Sequence, residues 1–175
     1  LLIKRYMQPE DLYFHADIQG AAHCIVKTAN RKVTEQTKKE AAIFAAVYSK
    51  AWQQGLAAID VYSVKPEQVS KKAPSGEALG KGAFMIYGKR EWFKNTPLDF
   101  AIGVEKVDEY YRIISGPATA VQKHAIMSFK IVPGSKRKSE VAKVLKSIME
   151  RKLNTTLNLD EIIAMLPADN VELPK

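Results

Sequence analysis

With 175 residues, 46% of them hydrophobic and 26% charged, the chain has ordinary globular composition and enough length for one substantial core. No apolar run approaches the roughly 20 residues that cross a bilayer, no charged-then-apolar export pattern opens the chain, and the single Cys24 excludes a disulfide framework or a multi-thiolate zinc site, so a cytoplasmic protein is expected. The net charge of +8 is concentrated: residues 65–94 hold seven bases against three acids and residues 123–152 nine against two, leaving the remainder net negative, the distribution expected of a polyanion-binding face.

Leu2 to Tyr6 alternates apolar and basic residues and reads as a strand, Gln8-Pro9-Glu10 as a turn, and Asp11 to Ala16 as a second strand. A chain that starts inside a strand, without methionine, is expected of a domain cut from a longer protein. Gly20 permits a bend before a third strand at Ala22–Lys27. Thr34 to about Gln54 reads as one helix, with Thr34 as its cap, Gly55 after its last turn, and Ala41, Ala45, Tyr48 and Trp52 on one face. Ala57–Val64 returns to strand composition, a long exposed basic loop follows, and Ala83–Tyr87 is a short strand ended by Gly88. Phe100–Val107 and Tyr110–Ser115 form a hairpin, and Pro117 opens a short helical turn. Ala125–Val132 is a strand stopped by Pro133-Gly134-Ser135, and Ser139 to about Lys152 an amphipathic basic helix turning Val141, Val144, Leu145 and Ile148 inward. A last helix near Asp160–Met165 precedes a loose tail. These elements predict an α+β fold, a mixed and mostly antiparallel sheet packed by one long helix, with residues 1–135 as core and 136–175 as a basic helical extension of the same domain.

Catalytic and metal patterns are weak. His15, His23 and His124 lack the helical spacing of a metal pair, and neither a paired-carboxylate pattern nor a nucleophile elbow is present. His15, Asp17 and His23 can converge across adjacent strands around Gly20, where histidines that fix a turn or meet RNA are expected ahead of a metal cluster. Cys24, among apolar neighbours, reads as an inert core thiol. The run Gly76-Glu77-Ala78-Leu79-Gly80-Lys81-Gly82 is not a Walker loop, since its first glycine is one position too close and it precedes a strand instead of a helix. It suits backbone amides and Lys81 meeting a phosphate.

Asp11-Leu12-Tyr13-Phe14-His15-Ala16 with Gly20, then Val69-Ser70-Lys71-x-x-Pro74-x-Gly76-Glu77, then Gly80-x-Gly82-x-Phe84-Met85-Ile86-x-Gly88-Lys89 occur in that order, around a helix ending in Tyr48-Ser49-Lys50-Ala51-Trp52. In these blocks the chain resembles the RNA-binding (NFACT-R) domain of the NFACT family, from roughly Lys4 to Arg90. That family includes the eukaryotic nuclear export mediator factor and bacterial counterparts labelled fibronectin-binding proteins. Ser115-Gly116-Pro117, Lys123-His124 and Ile131-Val132-Pro133-Gly134 look like its archaeal members. Two departures are Ala83, where many members have serine, and Gln19, where bacterial members often have proline.

The resemblance implies a role in ribosome-associated quality control, where such proteins bind the large subunit carrying a stalled peptidyl-tRNA and recruit tRNA to extend the nascent chain. The implied partners are tRNA, the large ribosomal subunit and other domains of the same full-length protein, with no membrane, no cofactor and no metal. Because tRNA recruitment is attributed mainly to an N-terminal domain absent from this chain, an RNA-binding part is expected and not an enzyme, and no catalytic residue is carried over. Ser70, Lys71, Lys72, Lys81, Lys89 and Arg90 are the expected nucleic-acid contacts, with His15, Asp17, Gly20 and His23 as structural or RNA-contacting residues. The alternative is a protein-interaction domain whose basic helix docks on an acidic ribosomal or quality-control partner.

Overall fold

The computed structural model describes residues 2–76 and 79–175, so Leu1 and, within the glycine-containing run, Glu77 and Ala78 lie outside the described residues. In chain order the first elements are α1 (Leu2–Tyr6), β1 (Leu12–Ala16), β2 (Cys24–Val26), α2 (Glu35–Val47), α3 (Lys50–Gln53) and β3 (Ala58–Val64). A 3-10 turn (Pro66–Gln68), β4 (Val69–Ser70), β5 (Met85–Ile86), β6 (Glu91–Pro97), β7 (Phe100–Val107) and β8 (Tyr110–Pro117) come next. The chain closes with α4 (Ala118–His124), β9 (Met127–Arg137), α5 (Lys138–Leu153), α6 (Leu159–Ala164) and β10 (Asn170–Glu172). The fold is α+β, as expected. Its strands form two four-stranded sheets instead of one, ordered β2-β1-β3-β6 and β10-β9-β7-β8, with a separate β4-β5 pair. Every pairing described is antiparallel.

The period-two alternation of strands assigns the two faces of the first sheet. Phe14, Ala16 and Val61 point to one side and join Ala42, Ala45, Ala46 and Val47 of α2 in the main core, while Tyr13 and Tyr62 point to the other. The same main core takes in Phe100, Ile102 and Val104 of β7, Val141, Leu145 and Met149 of α5, and Val171 of β10, so both sheets share one hydrophobic interior. β7 is buried on both sides, since Ala101 packs with Ala118 and Val121 of α4. Gly103 is required there: a Cβ would stand 2.5 Å from the Met127 carbonyl oxygen.

Several expectations are corrected. Leu2–Tyr6 is a helix and not a strand, because Ile3 and Met7, four apart, both pack under Tyr13 and Val64, a helical spacing that five residues of alternation obscured. The long helix is interrupted after Val47. Thr34 caps its start as expected, but Ser49 donates to the Ala46 carbonyl (2.7 Å) and accepts from Ala51 N–H (3.2 Å), capping a second short helix. The expected loop after Val64 contains β4, whose pairing with β5 makes a hairpin. β6 was not expected at all; it pairs with β3, including Tyr62 opposite Trp92.

Two more corrections concern the C-terminal part. The proline and glycine at 133–134 do not end β9, because its partner β10 shifts register between Val171 and Glu172 and absorbs the irregularity. The tail is not loose: Val171 is fully buried and the indole N–H of Trp52 donates to the Asn170 carbonyl at 3.1 Å. α5 buries Val141, Ala142, Leu145 and Met149, and leaves the expected core residue Val144 49% exposed. Among the described residues no helix is long and apolar enough to cross a membrane.

Candidate nucleic-acid interface

On the face of the first sheet turned away from α2, strand register assembles a row of rings. His15 on β1 is opposite Tyr62 on β3, and Tyr62 is opposite Trp92 on β6, so the three side chains emerge on the same side from neighbouring strands. Their ring centroids are 5.8 Å (His15 to Tyr62) and 5.5 Å (Tyr62 to Trp92) apart. His23, just before β2, extends the row: it lies 5.6 Å from His15, and its Nδ1 and the Tyr13 hydroxyl share a hydrogen bond of 2.7 Å. Phe84 closes the row with its ring edge-on to His23 at 5.3 Å. The bend between His15 and His23 is made by Gly20, whose φ of +72° favours glycine, with Asp17 exposed and donating its N–H to the Asp60 carbonyl at 2.8 Å.

Cations sit on these rings. The Arg90 guanidinium lies 4.5 Å from the Tyr62 centroid and 5.9 Å from that of Trp92, the Lys94 ammonium 4.1 Å from Trp92, and the Lys71 ammonium 5.4 Å from Phe84. Lys94 is also ion-paired with Asp60 at 2.8 Å. Lys72, Lys81 and Lys89 are exposed on the hairpin and its loop.

That hairpin is held down, not free. Val69, Phe84 and Ile86 pack onto Tyr13, Tyr62 and Val64, the Gln68 side-chain amide donates to the carbonyls of Tyr87 (2.7 Å) and Lys89 (2.9 Å), and the Tyr87 hydroxyl donates to the Lys72 carbonyl (2.6 Å). Gly88 has φ of +74° and a Cβ there would come within 3.1 Å of the Gln68 amide, so glycine lets this clamp close. Ser70 accepts from Lys72 N–H at 3.0 Å and shapes the turn.

Among the described residues, Lys71, Lys72, Lys81, Lys89 and Arg90 have no carboxylate partner within ion-pair distance. In the second basic segment Lys130 pairs with Asp99 (3.2 Å), Lys138 with Asp169 (3.1 Å) and Lys146 with Glu150 (2.5 Å). The hairpin thus offers five such cations next to the ring row, while Lys123, Lys136, Arg137, Lys143, Arg151 and Lys152 of the second segment are also without a carboxylate partner among the described residues.

Protonation follows burial. Burial and then the neighbouring His23 hold His15 below the ordinary imidazole range; burial does the same to His23 against an opposing contribution from the Gly82 backbone. Burial raises the Tyr13 phenol, which stays protonated, and pushes the Cys24 thiol up to about 11, as suits an inert core thiol. Among the described residues no group of three or more His, Cys, Asp or Glu is arranged to hold a metal ion. The structure thus brings His15 and His23 into one row of rings with Lys71 and Arg90 against its members, shows Lys72, Lys81 and Lys89 only as exposed, and leaves Asp17 and Gly20 to form the bend. Tyr13, Tyr62, Trp92 and Lys94 were missed. The period-two spacing of Arg90, Trp92 and Lys94 was the available signal, since alternation along an extended segment puts such residues on one face.

The chain spans about a quarter or less of the curated relatives it matches. It is 41% identical over 175 residues to the archaeal Rqc2 homolog aRqcH of Methanocaldococcus jannaschii, covering 100% of this chain and 26% of that protein. It is 39% identical over 105 residues to the ribosome quality control complex subunit NEMF homolog of Drosophila melanogaster (59% of this chain, 10% of the relative), and 38% identical over 111 residues to NEMF of Homo sapiens (62% and 10%). A solved structure of the C-terminal part of the fibronectin/fibrinogen-binding protein from Streptococcus suis shares 25% identity and a TM-score of 0.43 over 55% of this chain and 35% of that one. The profile of the NFACT protein RNA binding domain matches residues 1–88, the half of the chain that contains β1 to β5, both histidines of the ring row and the anchored basic hairpin. The chain belongs to the NFACT protein RNA binding domain family.

Proposed function

We propose that the chain is a non-enzymatic RNA-binding module of a ribosome-associated quality-control factor, meeting tRNA or large-subunit ribosomal RNA during nascent-chain tailing on stalled large subunits. The observation that carries this reading is that five cations without carboxylate partners among the described residues, Lys71, Lys72, Lys81, Lys89 and Arg90, lie on a hairpin packed onto the ring-bearing face of the first sheet. A rigid support for several cations lowers the entropy lost when they meet phosphates, and release of condensed counterions supplies the driving force. The names of the Drosophila and human relatives, both ribosome quality control complex subunits, support the setting.

The test is the affinity of the 175-residue chain for labelled tRNA, and for a large-subunit ribosomal RNA fragment, over a series of salt concentrations. Affinity should fall steeply with salt, and replacing Lys72, Lys81 and Lys89 together by alanine should reduce the slope of log K against log salt by about two to three. Affinity indifferent to salt, or a triple variant with the wild-type slope, would overturn the reading. Retention on large subunits after ribonuclease treatment would favour a protein partner instead.

A further inference from the structure

Trp92 is the large aromatic at the edge of the ring row, and its environment is unusual for an indole that serves packing alone. It stands on β6, the outermost strand of the first sheet, with its edge contact to Tyr62 on one side and two cations, Arg90 and Lys94, against it, yet 38% of it remains open to solvent. Tyr62, by contrast, is 6% exposed and is covered by the hairpin. Lys94, over the indole, is ion-paired with Asp60, whose carboxylate accepts from both the ammonium and Asn95 N–H (2.7 Å), while the neighbouring Arg90 has no carboxylate partner among the described residues. A half-open aromatic surface beside cations is the arrangement on which unstacked bases are captured, because every base offers a π-face and its phosphate reaches the adjoining guanidinium. A base inside a duplex has both faces occupied by its neighbours and cannot make this contact.

We infer that Trp92 and Arg90 form a stacking subsite for one unpaired nucleotide, so that the domain prefers single-stranded or looped RNA to duplex. The inference rests on the RNA-binding reading above and specifies which part of an RNA that face receives. The indole takes the base, Arg90 takes its phosphate, and the exposed lysines of the hairpin follow the adjoining backbone.

The experiment compares a short single-stranded RNA of mixed sequence with the same strand annealed to its complement, read by anisotropy of the labelled RNA and by intrinsic tryptophan fluorescence. Trp52 is 3% exposed and donates its indole N–H inside the protein, so a change on RNA binding reports on Trp92. The single strand is expected to bind more tightly, to quench the emission, and to lose about ten-fold or more in affinity on Trp92→Ala while duplex binding stays unchanged. Trp92→Tyr is expected to keep most of the affinity, and the wild-type quenching needs no variant to fold. If both RNAs bind equally and emission does not change, or if Trp92→Ala weakens both forms alike, the stacking subsite is wrong while RNA binding through the lysines stands. If neither RNA binds in a salt-sensitive way, the RNA-binding reading fails and takes the subsite with it.

Discussion

Arg90 carries two roles that a pair of substitutions can separate. Inside the molecule its guanidinium lies over two rings, 4.5 Å from Tyr62 and 5.9 Å from Trp92. Each such contact at a partly exposed site stabilises by about 0.5–1 kcal/mol, so Arg90→Ala should lower folding stability by about 1–2 kcal/mol. With an unfolding slope of about 2 kcal/mol per molar urea, the midpoint should fall by roughly 0.5–1 M. Outside the molecule Arg90 contributes one cation to a phosphate, and its loss should reduce the salt slope of RNA affinity by about 0.7–0.9. Arg90→Lys keeps the charge and loses the planar guanidinium, so it should restore the slope but recover only part of the urea midpoint. Urea unfolding followed by circular dichroism, together with anisotropy titrations at four or five salt concentrations, measures both. If Arg90→Ala shifts the midpoint but leaves the slope untouched, the arginine is spent on the rings and the assignment of its charge to RNA is refuted. An unchanged midpoint would instead refute the stabilising role of the ring contacts.

Truncation after Asp169 should lower stability by about 3–5 kcal/mol, because it strips the buried Val171 from the core and leaves the Trp52 indole N–H unpaired; an unchanged urea midpoint would mean that β10 is dispensable. Both His15 and His23 titrate below the ordinary imidazole value in the folded state, so the unfolded chain takes up protons first as pH falls. Stability should therefore be fully present above the unfolded value of about 6.5 and decline as pH drops below it, and His15→Gln should flatten that decline in urea midpoints measured from pH 7.5 to 5. Gly103→Ala should cost about 1–3 kcal/mol, since the obstructing atom is the Met127 carbonyl oxygen and not a mobile side chain; a thermal midpoint within a degree of wild type would show that β9 yields easily.

Where local signals governed the structure, the sequence was readable. Thr34 marked the helix start, the break between Val107 and Tyr110 marked the β7–β8 hairpin, and the blocks around His15, Ser70 and Gly88 marked the family. What escaped depended on partners far away in the chain. β6 carries Glu91, Lys94 and Asn95, residues that disfavour strands, and it exists because β3 supplies its ladder while Asp60 compensates Lys94 and receives the Asn95 N–H. β10 exists because Trp52, more than a hundred positions earlier, offers a donor for Asn170 and the shared core accepts Val171. The ring row has the same origin. Tyr13, Tyr62 and Trp92 each read singly as ordinary strand aromatics, and only the registers His15 to Tyr62 and Tyr62 to Trp92 turn them into one surface. The cations follow from that surface: Arg90, just before β6, and Lys94 within it stand two positions either side of Trp92, so the register that aligns the rings also places the charges over them. A one-residue slip of β6 would send Trp92 toward α2 and Phe93 to the open face, removing the stacking ledge and the core contact of Phe93 together. Burial of Phe93 in the main core therefore fixes the register that the proposed RNA-contacting face requires.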